Sequence, residues 1–161
     1  MEFVPVLVVG LGLPATAAAL GAVWRLRDGR VRRIAAHRSR RERTTEVTTL
    51  RDADALGRDA DAFGADATLV QFSTEYCSRC PAASRALGAL AAEYDGVRHL
   101  DVDLTHRPDL ADAFRVTQTP TVLVLDADGR AIARVTGAPR VHELREVIDP
   151  ITRRSRVPHP A

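Results

Sequence analysis

The sequence predicts an α/β domain whose mixed central sheet is covered by helices on both faces, and three patterns carry that prediction. A mostly apolar run, Ala67 to Ser73, has the length and composition of a buried strand. The run that follows, Cys77 to Tyr94, carries apolar residues at helical spacing. Further along, Asp128-Gly129 separates two short apolar runs, which is typical of a β-hairpin.

The first predicted elements are a strand at 46–50 and a helix at 52–63, which lead into the buried strand. The helix prediction depends on Leu56, Ala60 and Phe63, which fall on one face at helical spacing. The long helix that begins at Cys77 is expected to stop before Gly96, because glycine favours helix ends.

The second half of the domain continues the alternation. Residues 97–104 alternate apolar and polar as a half-buried strand does, and 108–114 form a short helix. Residues 121–125 and 131–135 are the two strands of the hairpin, and 141–148 form the last helix. The predicted order is therefore β-α-β-α-β-α-β-β-α over residues 45–149, with 150–161 as a disordered tail.

The N-terminal stretch from Phe3 to Trp24 contains no charged residue over 22 positions. As a helix it would extend about 33 Å, which matches a bilayer core of about 30 Å. A cleaved secretory signal is an alternative, but only Glu2 precedes the run, so the basic flank of a signal is missing. A buried core helix is a weaker alternative because every face is apolar. We therefore predict a transmembrane anchor over residues 3–24.

The segment 25–44 is interpreted as an arginine-rich linker. Nine arginines and two acidic residues lie between Arg25 and Arg43, which predicts a cytoplasmic location for this side of the anchor and for the domain after it. The arginines also suit contact with anionic lipid head groups. Nucleic acid is not an expected partner, since neither aromatic residues nor a binding motif accompanies them.

The two cysteines of the chain lie three residues apart, in the sequence Cys77-Ser78-Arg79-Cys80. If the helix begins at Cys77, unpaired N–H groups and the positive end of the helix dipole favour a thiolate there. The thiol pKa of about 8.5 falls to about 7 or below in such settings. A zinc site is disfavoured because no second Cys or His pair has suitable spacing, whereas a purely structural disulfide remains an alternative.

Taken together, Leu69 to Cys80, then Thr119-Pro120-Thr121, Asp128-Gly129 and Gly137 resemble the thioredoxin family. The resemblance covers about residues 45–149. It implies a thioredoxin-like fold and the activity of a thiol–disulfide oxidoreductase that needs neither a cofactor nor a metal.

The resemblance also implies roles for particular residues. Cys77 would be the exposed nucleophile and Cys80 the resolving thiol. Pro120 would be the family's cis-proline facing the dithiol, and Thr119 before it would touch bound peptide. The residues between the sulfurs, Ser78 and Arg79, would contact substrate, and the charge of Arg79 would favour the thiolate.

The chain departs from the family in the residues behind the dithiol. Gln71 stands where the family has a buried aspartate, and His99 is aligned with the lysine that accompanies it. An amide cannot accept a proton from a thiol, so we expect water, Glu75 or His99 to do so. A surface position for Glu75 and a packing role for His99 are the alternatives.

These observations predict a membrane-anchored, thioredoxin-like protein that reduces or exchanges disulfides of client proteins in the cytoplasm. Its electrons would come from another dithiol or from a donor of the thioredoxin-reductase type. One alternative is an extracytoplasmic anchored thioredoxin of cytochrome c maturation or envelope protein folding. The other is a redox sensor or binding module with little turnover.

Overall fold

The computed structural model describes residues 16–23, 29–34 and 62–152 of the chain. Residues 16–23 are helical and exposed. The elements that follow within these ranges are β1 (Val31–Arg33), β2 (Ala67–Ser73), α1 (Cys80–Ala91), β3 (Val97–Asp103), α2 (Pro108–Ala113), β4 (Thr121–Asp126), β5 (Ala131–Thr136) and α3 (Val141–Ile148).

The strands form one sheet in the order β1-β5-β4-β2-β3. Strands β2 and β3 are parallel, and the other neighbouring pairs are antiparallel. Strand β2 lies between β3 and β4 and is buried along almost its whole length, as its apolar composition predicts. The predicted α/β class with a mixed sheet is confirmed.

Successive side chains of β2 point to opposite faces of the sheet, and nearly all of them are buried. Helices therefore pack on both faces. On one face, Leu69 belongs to a core cluster with Leu87 of α1 and Leu144 of α3. On the other face, Phe72 stacks on Phe114, just after α2, with ring centroids 5.1 Å apart. All five of these side chains are fully buried. Burial of each contributes about 1.5–3 kcal/mol, so both faces hold the strand in register.

Most predicted boundaries agree with the observed ones to within a residue or two, but the long helix was predicted to be too long. Helix α1 begins at Cys80 and ends at Ala91, instead of running from Cys77 to Tyr94. Pro81 occupies the first turn, the position where a helix tolerates a residue without an N–H. At the other end, tight turns bring the amide of Tyr94 to the carbonyl of Ala91, within 3.1 Å.

Strand β1 corrects the interpretation of residues 25–44 as linker throughout. Val31 pairs with Val135 of β5, and Arg33 pairs with Ala133, so this short segment extends the sheet. Gly29 precedes it with a positive φ of 74° and donates its amide to the carbonyl of Thr136. An edge strand needs backbone partners on one side only, so its arginine-rich sequence did not show the alternation that marks a buried strand.

Several predictions lie outside the described residues: the strand at 46–50, almost all of the helix at 52–63, the end of the tail and most of the anchor. Within the ranges that the structure covers, no helix is long and apolar enough to cross a membrane. The anchor, the remaining linker and the tail stay predictions.

Candidate active site

The two cysteines form a disulfide where β2 gives way to α1. Their Cα atoms lie 5.4 Å apart. Cys80 is only 5% exposed, whereas Cys77, in the loop before the helix, is half-buried. The sulfur of Cys77 is therefore the more accessible of the two, as the sequence analysis expected of a nucleophile.

The sequence analysis assumed that the helix begins at Cys77, but α1 begins at Cys80. Its amide donates to the carbonyl of Thr74 over 3.1 Å, and its own carbonyl accepts the amide of Cys80 over 3.2 Å. These bonds make a tight turn before α1, and Arg79 occupies the N-cap position without a side-chain cap. The disulfide nevertheless keeps the Cys77 sulfur bonded to the first residue of the helix, at its positive end.

The loop around the cysteines presents an exposed rim. Ser78 and Arg79, predicted to contact substrate, are both exposed. Tyr76 was missed by the sequence analysis, although it is an aromatic residue directly before Cys77 and is 83% exposed. A hydrogen bond to Glu75 raises the pKa of Tyr76 above its ordinary value. An exposed aromatic ring beside a reactive sulfur provides apolar area for a bound partner.

The loop of Pro120 lies beside the cysteine loop, as the resemblance implied. The peptide bond between Thr119 and Pro120 is cis. The hydroxyl groups of Thr74 and Thr119 are 3.3 Å apart, which joins the two loops. The carbonyl of Pro120 accepts the amide of Gly137 over 2.8 Å. The structure therefore brings together two sites that are more than forty residues apart in sequence.

Behind Cys80 lies a polar pair that the sequence analysis did not find. The amide nitrogen Nε2 of buried Gln71 donates to the carbonyl of Cys80 over 3.2 Å and to Oδ2 of Asp101 over 3.3 Å. The hydroxyl of Ser73 donates to Oδ1 of Asp101. The missed signal is an aspartate in the parallel strand that adjoins the predicted buried strand.

His99 lies on β3 two residues before Asp101, farther from the cysteine loop. Gln71 pairs with Asp101 across β2 and β3, whereas His99 pairs with Leu69. Residues two apart lie on the same face of a strand, so His99 and Asp101 face the same side of the sheet. Burial lowers the pKa of His99, partly opposed by the charge of Asp101, and the ring nitrogen Nε2 is buried without a hydrogen-bond partner.

Glu75, the other predicted proton-transfer group, is exposed, and its backbone amide donates to Oγ1 of Thr105 over 3.0 Å. It borders an open groove whose walls include Thr74, Cys77, Cys80 and Asp101. Across residues 16–23, 29–34 and 62–152, no cluster of three or more His, Cys, Asp and Glu side chains is arranged to hold a metal ion.

A family model, described as thioredoxin, matches residues 60–150, which is more than half of the chain. The thioredoxin of Chlamydia trachomatis is 38% identical over 69 residues, covering 43% of this chain and 67% of the relative. The thioredoxin of Staphylococcus aureus is 33% identical over 82 residues, covering 50% and 78%. Thioredoxin H2 of Arabidopsis thaliana is 35% identical over 72 residues, covering 45% and 53%, so this chain spans about half the length of that relative.

Solved structures include similar proteins as well. The thioredoxin of Fasciola hepatica is 28% identical with a TM-score of 0.48, covering 55% of this chain and 84% of that one. Mitochondrial thioredoxin 3 of Saccharomyces cerevisiae, in its oxidised form, is 28% identical with a TM-score of 0.46, covering 53% and 78%. The family assignment is based on the sequence match, which includes both cysteines and the Thr119-Pro120 pair.

Proposed function

This chain belongs to the thioredoxin family, and we propose that it reduces or exchanges disulfides of partner proteins through Cys77 and Cys80. The observation that carries the proposal is the difference in exposure between two bonded sulfurs beside the cis-Pro120 loop. A purely structural disulfide gains nothing from an accessible sulfur next to an exposed aromatic rim.

In the first step, the thiolate of reduced Cys77 attacks a disulfide of the partner. A bond forms between the Cys77 sulfur and one partner sulfur, the partner's own S–S bond breaks, and the other partner sulfur leaves as a thiolate. The partial exposure of Cys77 supports its role as the attacking group, because buried Cys80 cannot approach a protein-sized substrate.

In the second step, the sulfur of Cys80 attacks that of Cys77. The bond between them forms, the mixed disulfide breaks, and the partner leaves as a dithiol that has gained two electrons. This step ends in the disulfide seen in the structure. Another dithiol or a donor of the thioredoxin-reductase type would then return two electrons to the protein.

Partner binding is proposed to use the exposed rim and the Pro120 loop. Tyr76, Ser78 and Arg79 are exposed in the cysteine loop, and Thr119 of the neighbouring loop is joined to it through Thr74. An extended peptide between these two loops would place its disulfide next to Cys77. The variety of exposed groups suits protein clients better than one small molecule.

Insulin reduction with dithiothreitol tests the activity. The full chain should accelerate precipitation of the reduced insulin chains, and Cys77→Ser should lose that acceleration. Cys80→Ser should instead accumulate mixed disulfides with client proteins, since the resolving sulfur is gone. A full chain no faster than Cys77→Ser would contradict the proposal and favour a redox sensor with little turnover.

The membrane location is a separate proposal: a single anchor at 3–24 with the domain on the cytoplasmic side. It is supported by the uncharged run and by the arginines that follow it. Fusions at the C-terminus test it, because alkaline phosphatase is active only outside the cytoplasm, whereas green fluorescent protein exported through the general secretory route stays dark. Active phosphatase would favour an extracytoplasmic thioredoxin. Release of both fusions into the soluble fraction would contradict the proposed anchor.

A further inference from the structure

We propose that Asp101 accepts the proton of Cys80 during resolution of the mixed disulfide, so that the proton acceptor of this site lies on β3. The inference rests on the proposed exchange reaction. It concerns the step for which Gln71 is unsuited, because a neutral amide has no basic group for a thiol proton.

The carboxylate of Asp101 accepts two hydrogen bonds, one on each oxygen. Gln71 Nε2 donates to Oδ2 over 3.3 Å, and the hydroxyl of Ser73 donates to Oδ1. Both donors come from β2, the strand that ends at the cysteine loop. Asp101 therefore has a defined orientation, as a proton acceptor needs.

The same contacts join Asp101 to Cys80. Gln71 Nε2 donates also to the main-chain carbonyl of Cys80, over 3.2 Å. Asp101 and Cys80 both line the open groove next to the disulfide. Asp101 is therefore the carboxylate that we assign as the acceptor of a thiol proton released from Cys80 into this groove.

The side chain of Gln71 directs its donor group, and not its oxygen, at Asp101. Its NH₂ group points toward the carboxylate, and its oxygen Oε1 is buried without a partner. An ionised carboxylate only accepts hydrogen bonds, so this orientation satisfies it. A glutamine at position 71 thus fixes the orientation of the neighbouring carboxylate beside the cysteine loop.

Other titratable groups near Asp101 are less well placed. His99 lies on the same strand face but pairs with Leu69, farther from the sulfurs, and burial lowers its pKa. Glu75 is exposed and hydrogen-bonded to Tyr76. Asp103 also borders the groove, but its Oδ1 accepts both the amide and the hydroxyl of Thr105.

The proposed step balances in atoms and electrons. Cys80 loses its proton to Asp101 as its sulfur bonds to the Cys77 sulfur, and the bond between Cys77 and the partner sulfur breaks. The electron pair of that bond leaves with the partner as a thiolate, which takes a proton from protonated Asp101 or from water. Asp101 then returns to its ionised form.

A single-turnover reaction with a chromogenic aryl disulfide isolates this step. Reduced full-length protein mixed with excess reagent releases one coloured thiolate when Cys77 attacks the aryl disulfide and a second when Cys80 resolves the mixed disulfide. Asp101→Asn should slow the second release about tenfold or more at pH 7 and leave the first within about twofold. The pH profile of the second release should become steeper, rising about tenfold per pH unit as hydroxide takes over.

The sign of the change separates two roles. If Asp101 acted only through its charge, its removal would favour the Cys80 thiolate and accelerate the second release. A second release that is unchanged or faster in Asp101→Asn would therefore overturn the proposal. Asp101→Glu, which restores a carboxylate, should recover part of the rate.

Two further variants protect the interpretation. Asp103→Asn removes the same charge from the same groove and should change the second release less than about threefold. Ser73→Ala keeps the carboxylate of Asp101 but removes one hydrogen-bond donor to it, so this variant should slow the second release by less than Asp101→Asn does. It replaces Asp101→Asn as the test if that variant does not fold. Because the aryl disulfide needs no protein client, a chain that fails to reduce insulin would contradict the proposed function and still report on Asp101.

Discussion

The backbone amide of Val31 donates a hydrogen bond of 2.8 Å to Oε2 of Glu143, across 112 positions of sequence. The bond joins β1 to α3, and Arg33 adds a second connection by donating to the main-chain carbonyl of Glu146 over 3.1 Å. The hydrogen bond from the Val31 amide makes the largest contribution to lowering the pKa of Glu143. The edge strand is therefore held by the sheet on one side and by a helix carboxylate as well.

Glu143→Ala should loosen β1 without unfolding the domain. Hydrogen exchange of the Val31 amide should accelerate about fivefold or more, because one charge-assisted hydrogen bond typically contributes on the order of 1 kcal/mol. Glu146→Gln is the matched control, since Arg33 uses only its main-chain carbonyl. Equal acceleration in both variants would contradict a specific role for the Glu143 carboxylate.

Sequence could predict the interior of this fold much better than its edge. Strand β2 and helix α3 were predicted because burial on one or both faces leaves a pattern in the chain. Strand β1 leaves none: two of its three residues are arginines, and its position depends on backbone pairing with β5. Its partner strand lies about a hundred residues away, beyond the reach of any local pattern.

The residues of the candidate site also differ in how far a local sequence pattern predicts them. Cys77, Cys80 and Pro120 lie within short motifs, and the structure places the loop of Pro120 beside the loop of the disulfide. Asp101 has no motif of its own. It acquires its place from the parallel register between β2 and β3, which an alternating pattern specifies only to the nearest two residues.

Gln71→Asp should destabilise the domain at neutral pH. The new carboxylate would lie beside Asp101, to which Gln71 Nε2 now donates over 3.3 Å. Ionising both of two close carboxylates costs free energy because the like charges repel each other. We expect a loss of about 1–3 kcal/mol in the free energy of unfolding at pH 8, and a smaller loss at pH 5, where the pair can share a proton. Urea unfolding at both pH values measures it, with Gln71→Asn as the uncharged control. Wild-type stability at pH 8 would show that the two carboxylates do not meet.

Acidification should destabilise the protein through His99 before its carboxylates titrate. Burial lowers the pKa of His99 below 6.5 in the folded state, so the unfolded chain binds a proton first as the pH falls. The stabilising contribution is thus present above about pH 6.5 and lost as the pH falls through the lower folded value. In urea unfolding at pH 7.5 and 5.5, His99→Leu should lose less stability than the wild type. Exposed His142 supplies the control, and His142→Gln should behave as the wild type does.

Two glycines should respond to alanine in opposite directions. Gly88 lies inside α1, and a Cβ there would meet only Nδ1 of His99, at 4.0 Å, which is an ordinary contact. Gly88→Ala should therefore stabilise the helix by about 0.5–1 kcal/mol, because glycine loses more backbone freedom on folding. A Cβ at Gly96 would instead overlap the carboxylate of Asp66, so Gly96→Ala should destabilise. Thermal unfolding measures both, with about 2–6 °C gained by the first variant. A lower Tm for Gly88→Ala would mean that His99 and α1 pack more tightly than the structure shows.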